Sequence, residues 1–376
     1  REINENQDKP SKFEIEFIKN NSVYAYGIQV LCSRRKLISE WLYKLYPESD
    51  SEELLYEREW SGDSYNIEIN KDIIMGDDRI RLEFVTADIK KNEFTLLLNE
   101  MNRNKEIQKN SALYFFKEVY DWFENDLAIY FPDEPITSFD YVKDNCKNNE
   151  RINKLISAFD TGISSITMEK VNKEKTENLP RGIIEKLVSK LRENNDDFKD
   201  SKRRNRVNLR VNRDFYLISN VSNDNYDLET IKLYHGSDAK YDFSDESDGT
   251  RRIFDLLDIL LTKVDNTVFI VDELDRSLHP NFTYKFIELF YEIAKDKNIQ
   301  LIFTTHESKI MDLNLIRQDE IWFVERNNNN ESELYSLDLF KERYDKRIEK
   351  AYLEGRYGAI PVFKSFEFVS DHESED

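Results

Sequence analysis

The chain has 376 residues, with 55 Lys and Arg against 75 Asp and Glu, so its formal net charge is −20. This charge argues against a protein that coats nucleic acid by bulk electrostatics, although it leaves room for a local basic patch. Apolar residues make up 39% and aromatic residues 13% of the chain. That composition excludes a disordered protein, and the length provides for two or three folded units.

Neither a membrane span nor a disulfide framework is indicated. No apolar run approaches the roughly 20 residues that a transmembrane helix needs. Cys32 and Cys146 are the only cysteines and form no CxxC pair. We therefore expect a cytoplasmic protein without a structural zinc site. Residue 1 is Arg and the first residues resemble the middle of a domain, so we expect the natural protein to begin upstream.

Residues 1–100 predict a strand-rich antiparallel lobe. Apolar and acidic side chains alternate at 13–17, Asn20-Asn21 favours a turn, and apolar residues alternate again at 24–30. This pattern is typical of a hairpin with one solvated face. Further strands are expected at 38–43, 54–59 and 80–85.

Residues 101–200 change to helical periodicity. Apolar and aromatic side chains recur three or four positions apart between 107 and 123, which predicts a long amphipathic helix with an aromatic stripe that packs into a core. Two more helices are expected at 151–159 and 181–192, the second after Pro180. We interpret this stretch as a helical insertion without the sustained heptads of coiled-coil arms.

Residues 201–340 begin with a basic stretch, 202–213, whose alternation predicts a strand with a basic outer face. That face would bind phosphate or an acidic partner, or would be a solvated face with local ion pairing. Next come a buried helix, an apolar strand at 268–271, a second helix and further strands at 299–303, 321–324 and 333–337. This order predicts an α/β fold with a mostly parallel sheet. A C-terminal helix and tail are expected at 341–376.

Two adjacent acids follow the apolar strand at 268–271. The carboxyl ends of such strands face the crevice in which open α/β sheets bind ligands. Asp272 and Glu273 would be costly there without a cation, and a Mg²⁺–nucleotide complex supplies one. Asp272 is then the candidate metal ligand, and Glu273 the group that orients an attacking water.

Two further elements accompany the acids. The second apolar strand ends in Thr304-Thr305-His306, and a small-residue turn, Ser247-Asp248-Gly249, opens the helix that carries Arg251 and Arg252. Free N–H groups and the helix dipole favour an anion at such a turn. Ser247 would also serve as an ordinary helix cap, the two arginines would complement phosphate or merely cover the helix, and His279 reads as structural.

The order of these elements resembles the C-terminal half of an ABC-class ATPase: signature motif, Walker B, D-loop and switch histidine. Within that class, the sequence is most similar to the stand-alone bacterial ATPases of the AAA15 or RloA type. Four segments carry the similarity: ESDGTRR, FIVDELDRSLHP, TTHES and AYLEGRYGAIP. These ATPases are relatives of OLD, SMC and RecN proteins and include the ATPase subunit of PARIS-type phage defence. The resemblance covers most of 244–361. Glu246 and Asp248 depart from the transporter signature, in the manner of this subgroup.

The resemblance implies a role for each matching position, with ATP and Mg²⁺ as cofactors. Ser247 and Gly249 would touch the γ-phosphate of nucleotide held by a second subunit. Asp272 would bind the metal and Glu273 would be the catalytic carboxylate. Asp275 would lie in the D-loop at the dimer interface, and His306 would contact the γ-phosphate.

A phosphate-binding loop of the form GxxxxGK[ST] is absent from the sequence, since none of its nine glycines begins one. Such a loop brings a Lys to the β- and γ-phosphates and a hydroxyl to the Mg²⁺. We expect it to precede Arg1 or to lie on another chain. A degenerate protein that has lost hydrolysis is the alternative.

These features favour an ATP-driven switch that oligomerises around nucleotide and controls an effector. The resemblance implies that the effector is a separate TOPRIM-type nuclease in antiviral defence. Two alternatives remain: a non-catalytic scaffold of the same fold, motivated by the missing loop, and an SMC- or RecN-like DNA-repair ATPase, motivated by the basic stretch. Direct binding of nucleic acid is left open, and no membrane partner is expected.

Overall fold

The structure, a computed structural model, describes residues 8–103, 106–132, 149–171, 181–197, 206–211, 213–219, 221, 225–236, 239–261, 265–340 and 347–361. The chain divides into two compact units, Arg1–Ala128 and Ile129–Asp376. Among the described residues, no helix combines the length and the apolar character that crossing a bilayer requires.

A five-stranded sheet organises the first unit, and each strand pairs with the next along the chain in antiparallel register. Its strands are β1 (Ser11–Lys19), β2 (Ser22–Leu31), β3 (Lys36–Tyr46), β4 (Ser51–Trp60) and β5 (Tyr65–Ile69). Its helices are α1 (Gly76–Asp88), α2 (Leu97–Asn102) and α3 (Tyr114–Asp121), and a π-helical turn, Trp122–Asp126, continues α3. The predicted antiparallel lobe is confirmed.

The turn between β1 and β2 explains their register. Asn20 and Asn21 have φ values of 48° and 65°, the left-handed pair that a tight two-residue hairpin needs. Asn tolerates this conformation better than most residues. The turn places Phe17 opposite Tyr24, so the predicted hairpin is confirmed.

The prediction of a strand at 80–85 is wrong, because these residues lie within α1. Asp77 and Asp78 occupy the first turn of this helix, where they complement its dipole. Leu82 and Val85 are buried at helical spacing. Ile80 and Phe84 are exposed and lie two positions before and after Leu82, so they produced a false alternation of period two in the sequence.

The long helix expected at 107–123 is shorter in the structure, since α3 begins at Tyr114. Its aromatic stripe does pack a core, as predicted. Phe116 is fully buried and stacks on Tyr56 with ring centroids 5.1 Å apart. Trp122, in the π-helical turn, stacks on Phe17 at 4.0 Å. These contacts hold α3 against the sheet.

A fully buried carboxylate ties β3 to α2. Glu40 accepts the backbone N–H groups of Leu97 at 2.7 Å and Leu98 at 3.1 Å, so it caps the start of that helix. It also accepts the hydroxyls of Tyr26 and Tyr56. Burial raises the pKa of Glu40, and the hydrogen bonds act in the opposite direction.

The neighbouring Arg58 is equally buried and lies 3.7 Å from the Glu40 carboxylate. Its guanidinium donates to three backbone carbonyls, those of Ile89, Asn92 and Thr95. These carbonyls belong to the segment that connects α1 and α2. The pair therefore fixes this connection on the sheet, because each charge satisfies backbone groups that water cannot reach.

We expect Glu40→Gln to lower the free energy of unfolding of the first unit by about 3–5 kcal/mol. The amide replaces an acceptor oxygen with a donor that faces the N–H groups of α2, and it leaves Arg58 without its charged neighbour. Urea denaturation measures the change. Glu59→Gln, at an exposed position of β4, is the matched control and should stay within about 0.5 kcal/mol of the parent. Equal effects of the two substitutions would contradict this account.

Within its described residues, the second unit contains three sheets. Its strands, after β6 (Leu127–Tyr130) at the boundary, are β7 (Ser165–Lys170), β8 (Arg206–Val211), β9 (Asp214–Ser219), β10 (Asp227–Tyr234), β11 (Lys240–Asp242), β12 (Val268–Val271), β13 (Gln300–Phe303), β14 (Trp322–Arg326) and β15 (Ser332–Ser336). Its helices are α4 (Asn149–Ser157), α5 (Arg181–Asp197), α6 (Asp248–Leu261), α7 (Pro280–Ala294) and α8 (Ile348–Leu353).

The sheets of the second unit differ in direction. Strands β11, β10, β9 and β8 are antiparallel neighbours, and β7 also pairs with β10. β12 lies between β13 and β6, and β12 and β13 run parallel. β14 and β15 form a separate hairpin. The predicted α/β class is confirmed, as are the helices expected near 151–159 and 181–192.

Candidate functional site

The parallel register of β12 and β13 creates the candidate site. Val268 pairs with Gln300 and Val271 with Phe303, so Asp272 and Thr304 are the first residues beyond the two strands. The Thr304 N–H donates to the Val271 carbonyl at 3.0 Å. The two residues therefore lie side by side at the carboxyl edge of the sheet, where open α/β sheets bind their ligands.

The Thr304 hydroxyl joins the two acidic residues. It donates to Oδ1 of Asp272 at 2.5 Å and accepts the backbone N–H of Glu273 at 2.8 Å. Both its donor and one acceptor position are thus used, so the hydroxyl fixes a carboxylate and a backbone amide together. The sequence did not single out Thr304, although its position directly after a buried strand was a usable signal.

The segment after β12 has an unusual backbone. Glu273 has a φ of 48°, a left-handed conformation that costs a non-glycine residue about 1 kcal/mol or more. Its carbonyl accepts the N–H of Arg276 at 3.1 Å. In the described part of the chain its carboxylate makes no hydrogen bond. A strained, half-buried acid with open oxygens is available to a ligand.

The structure also brings Asp275 and His306 together. Oδ1 of Asp275 accepts the backbone N–H of His306 at 3.3 Å. The His306 side chain is exposed, and within the described residues its ring makes no hydrogen bond. Four of the predicted site residues, Asp272, Glu273, Asp275 and His306, therefore lie along one edge of the β12–β13 pair.

The turn before α6 lies next to this edge. Gly249 is helical, and a Cβ atom built on it would lie 2.7 Å from the Ser277 carbonyl oxygen. Such a distance is impossible without a backbone shift, so only glycine fits this approach. The segment containing Ser247 and Gly249 is thereby brought beside the segment containing Glu273 and Asp275.

Ser247 caps α6, as its sequence also allowed. Its Oγ accepts the Thr250 N–H at 3.1 Å and lies 2.9 Å from the Thr250 hydroxyl oxygen. Ahead of it, His235 Nε2 lies 2.6 Å from the Glu246 carboxylate. These contacts define the shape of the turn without any ligand.

The arginines at the start of α6 are both buried, at 5% and 6% exposure. Arg251 donates to the carbonyls of Ser244 and Glu246 and to the Asp248 carboxylate, so it braces the turn from inside. Arg252 points toward Glu273 and donates to its carbonyl at 3.4 Å. Neither guanidinium is a surface group that covers the helix.

His279 is structural, as predicted. It is the N-cap residue of α7, and its Nδ1 accepts the Asn281 N–H at 3.2 Å. Pro280 follows at the first helical position, where its missing N–H has no consequence.

The prediction that Arg210 lies on a basic outer face of 202–213 is wrong, whereas the local ion pairing of the alternative interpretation is present. The Arg210 guanidinium lies 3.1 Å from the Asp255 carboxylate of α6 with only 17% of the side chain exposed. It is thus paired inside the unit rather than presented to a partner. Arg213 is exposed, 3.9 Å from Asp248. Residues 202–205, which include Lys202, Arg203 and Arg204, lie outside the described residues.

The donor set at the edge fits magnesium that is carried by phosphate. Asp272 and Thr304 offer carboxylate and hydroxyl oxygens, the ligand type Mg²⁺ prefers. Within the described ranges, no three His, Cys, Asp or Glu side chains are grouped so as to hold an ion. Mg²⁺ in nucleotide enzymes is commonly held by one or two carboxylates together with phosphates and water, which is compatible with this sparse set.

A family model for AAA domains, described as putative AbiEii toxin of a type IV toxin–antitoxin system, matches residues 2–312. No curated protein is significantly similar to the chain in sequence. Among solved structures, the Smc head bound to the C-winged helix domain of ScpA is similar at 12% identity and a TM-score of 0.31, over 86% of this chain and 79% of that chain. The Smc head with an extended coiled coil bound to the C-terminal domain of ScpA, from Pyrococcus furiosus, is similar at 13% identity and a TM-score of 0.26, over 90% and 82%.

We expect Gly249→Ala to lower the free energy of unfolding of the second unit by about 1–3 kcal/mol, because the new methyl group would push the Ser277 carbonyl away. Gly182→Ala is a matched control, since Gly182 is also the second residue of its helix and has open space around its Cβ position. That substitution should be neutral or stabilise by up to about 1 kcal/mol. Urea denaturation of both variants measures the difference, and a stabilising Gly249→Ala would refute the contact.

Burial raises the pKa of Asp255 to about 6, although Arg210, Arg252 and Arg251 all lower it. Because the pKa is higher in the folded than in the unfolded chain, the folded state binds the proton more tightly. Protonation of Asp255 therefore stabilises the folded state. This contribution to the free energy of unfolding is complete below about pH 4 and is lost as the pH rises through 6, by a total on the order of 3 kcal/mol.

In Asp255→Asn this pH dependence should disappear. The free energy of unfolding of the variant relative to the parent should therefore rise by about 1–3 kcal/mol between pH 4 and pH 7. Urea denaturation at several pH values measures it. The lost pairing with Arg210 shifts the whole plot of unfolding free energy against pH without changing its slope. Parallel plots for the variant and the parent would therefore contradict the raised pKa.

Proposed function

The chain belongs to the family of AAA domains described as putative AbiEii toxin of type IV toxin–antitoxin systems, and from this premise we propose that it is an ATP-hydrolysing switch. Membership makes it an AAA-type, nucleotide-binding ATPase domain. The proposal adds that the β12–β13 edge is the hydrolytic site. It also adds that the chemistry controls a second protein.

One observation carries the proposal: two adjacent acidic residues at the carboxyl edge of a parallel strand pair, with a threonine hydroxyl that contacts the carboxylate of the first and the backbone N–H of the second. Asp272 is held through one oxygen by Thr304, and the described residues give its second oxygen no hydrogen bond. Glu273 is held through its backbone while its carboxylate stays open. The same element thus presents one carboxylate for a metal and another for water.

The roles follow from that division. Asp272 would hold Mg²⁺, which supplies charge neutralisation at the phosphates when bound. The Glu273 carboxylate would accept a proton from, and orient, a water molecule in line with the terminal phosphate. His306, next to Asp275, would donate to a phosphate oxygen from the neighbouring strand. Each role requires only the side chain that the structure leaves open.

Ser247, Gly249 and Asp275 form the part of the proposal that involves a second subunit. The turn before α6 and the segment after β12 are in contact at Gly249 and Ser277. We propose that this joint surface closes over nucleotide held by another copy of the chain. ATP binding would then control oligomerisation, and hydrolysis would release it.

A phosphate-binding loop is needed to complete the site, and the sequence contains no GxxxxGK[ST] motif. We propose that such a loop is supplied to the β12–β13 edge from outside these residues. If it is not, the second candidate is a non-catalytic scaffold of the same fold. Calorimetry with Mg·ATP on the natural reading frame that contains this sequence separates the two, since a scaffold would show no affinity.

The family description and the resemblance of the sequence both support a place in conflict systems of bacteria. We propose an antiviral or toxin–antitoxin role in the cytoplasm, with an effector such as a TOPRIM-type nuclease on a separate chain. The DNA-repair alternative rests on the basic stretch 202–213, of which Arg210 is paired with Asp255.

We expect Glu273→Gln, in the same reading frame, to lower the rate of phosphate release from ATP by about 10²–10⁴-fold, as expected for loss of a general base. ATP affinity should change little, because the carboxylate does not hold the nucleotide. The control is Glu292→Gln, an exposed glutamate of α7, which should keep the parental rate. Undiminished hydrolysis by Glu273→Gln would remove Glu273 from the mechanism.

A further inference from the structure

Arg252 is a charged residue of α6 whose side chain lies against the β12–β13 edge, the proposed hydrolytic site. The residue is only 6% exposed, and its guanidinium donates to the Glu273 carbonyl at 3.4 Å. Its Nε is buried and has no hydrogen-bond partner among the described residues. A guanidinium so deeply placed cannot reach a phosphate in solvent, so its action must pass through its protein neighbours.

The neighbours of Arg252 explain why a buried cation is tolerated. Three carboxylates attract it, those of Asp255, Glu273 and Asp275, while Arg276 repels it. Burial itself works against the charge and lowers the pKa of Arg252. The acids of the hydrolytic edge are therefore part of the environment that keeps this guanidinium in place.

Three groups hold the backbone of Glu273. Its N–H donates to the Thr304 hydroxyl, and its carbonyl accepts the Arg276 N–H at 3.1 Å and the Arg252 guanidinium of α6 at 3.4 Å. Arg252 is the only one of the three that reaches Glu273 from a helix. The left-handed φ of 48° is unfavourable for a glutamate and persists only where the surroundings impose it. The direction of the Glu273 side chain follows from this backbone conformation.

We propose that Arg252 is a positioning residue, which fixes the backbone of Glu273 so that its carboxylate is aimed at the attacking water. This inference rests on the proposed function. Arg252 touches neither nucleotide nor water in this assignment, and its effect is exerted entirely through Glu273.

The position of Arg252 on α6 gives this role a further consequence. Gly249 lies one turn earlier on the same helix, in the turn proposed to meet the nucleotide of a second subunit. A small shift of the helix start would move Arg252 and change its hold on Glu273. In the proposed assembly, closure of the subunits would act on the Glu273 carboxylate through Arg252.

The test uses the natural reading frame and compares Arg252→Met and Arg252→Lys with the parent and with Glu273→Gln. Methionine keeps the length and the burial but removes the charge and the donors, whereas lysine keeps a charge and a single donating nitrogen. We expect Arg252→Met to lower kcat for ATP on the order of 10–100-fold with KM changed less than about threefold, as for a misplaced catalytic group. Arg252→Lys should recover most of the loss.

The decisive measurement is the double variant Arg252→Met with Glu273→Gln, followed in single turnovers. If Arg252 acts through Glu273, the double variant should be no slower than Glu273→Gln alone. A full multiplication of the two losses would overturn the inference, because it would mean that Arg252 acts independently.

Other outcomes are equally decisive. Urea denaturation first establishes that each variant is folded, and if Arg252→Met is not, Arg252→Gln replaces it in the same cycle. A folded variant with parental kcat would overturn the inference while leaving the proposed function intact. Absence of ATP hydrolysis by the parent protein would overturn both together.

Discussion

The hydroxyl of Thr304 is the interaction on which the candidate site depends. It can bridge the Asp272 carboxylate and the Glu273 amide only because β12 and β13 are parallel and in register, so that both strands end at the same level. In an antiparallel pair the residue beside Asp272 would begin its strand rather than follow it. The positions of the hydroxyl and of the two acidic residues therefore depend together on the parallel direction of the two strands.

Buried charges connect that edge to the rest of the second unit. α6 carries three of them on one side: Arg251 braces the turn before the helix, Arg252 meets Glu273, and Asp255 pairs with Arg210 of β8. A buried charge without a partner costs several kcal/mol, so each of these contacts restricts where the helix can lie. The first unit uses the same principle differently, since Glu40 and Arg58 satisfy backbone groups and leave no open oxygen for a ligand.

Sequence patterns predicted those parts of the molecule that local chemistry determines. The hairpin at Asn20 follows from two residues that tolerate positive φ, and the strands that precede Asp272 and Thr304 follow from short apolar runs. The strand expected at 80–85 failed because exposed Ile80 and Phe84 imitate a two-residue period on a helix. Arg210 was misjudged because alternation identifies the two faces of a strand but does not say which is covered.

The contacts that the sequence could not predict join residues far apart in the chain. The approach of Gly249 to Ser277 and of Arg252 to Glu273 depends on how α6 packs, and no spacing rule contains that information. The domain limits at 100 and 200 reflect changes of periodicity, whereas the compact units meet at Ala128 and Ile129. Helical periodicity and membership of a compact unit are different properties, because β7 lies among helices yet pairs with β10.

Packing alone accounts for part of the turn that contains Ser247 and Gly249, so these two residues are weaker evidence for function than Glu273. Ser247 is explained as a helix cap, and Gly249 as the only residue that fits beside the Ser277 carbonyl. Neither needs a nucleotide to justify its presence. Glu273 is different, because a glutamate in a left-handed conformation next to a second acid lowers stability and satisfies no backbone group with its carboxylate. This conformational cost is the reason that the catalytic role proposed for this edge is assigned to Glu273, beside Asp272 and Thr304.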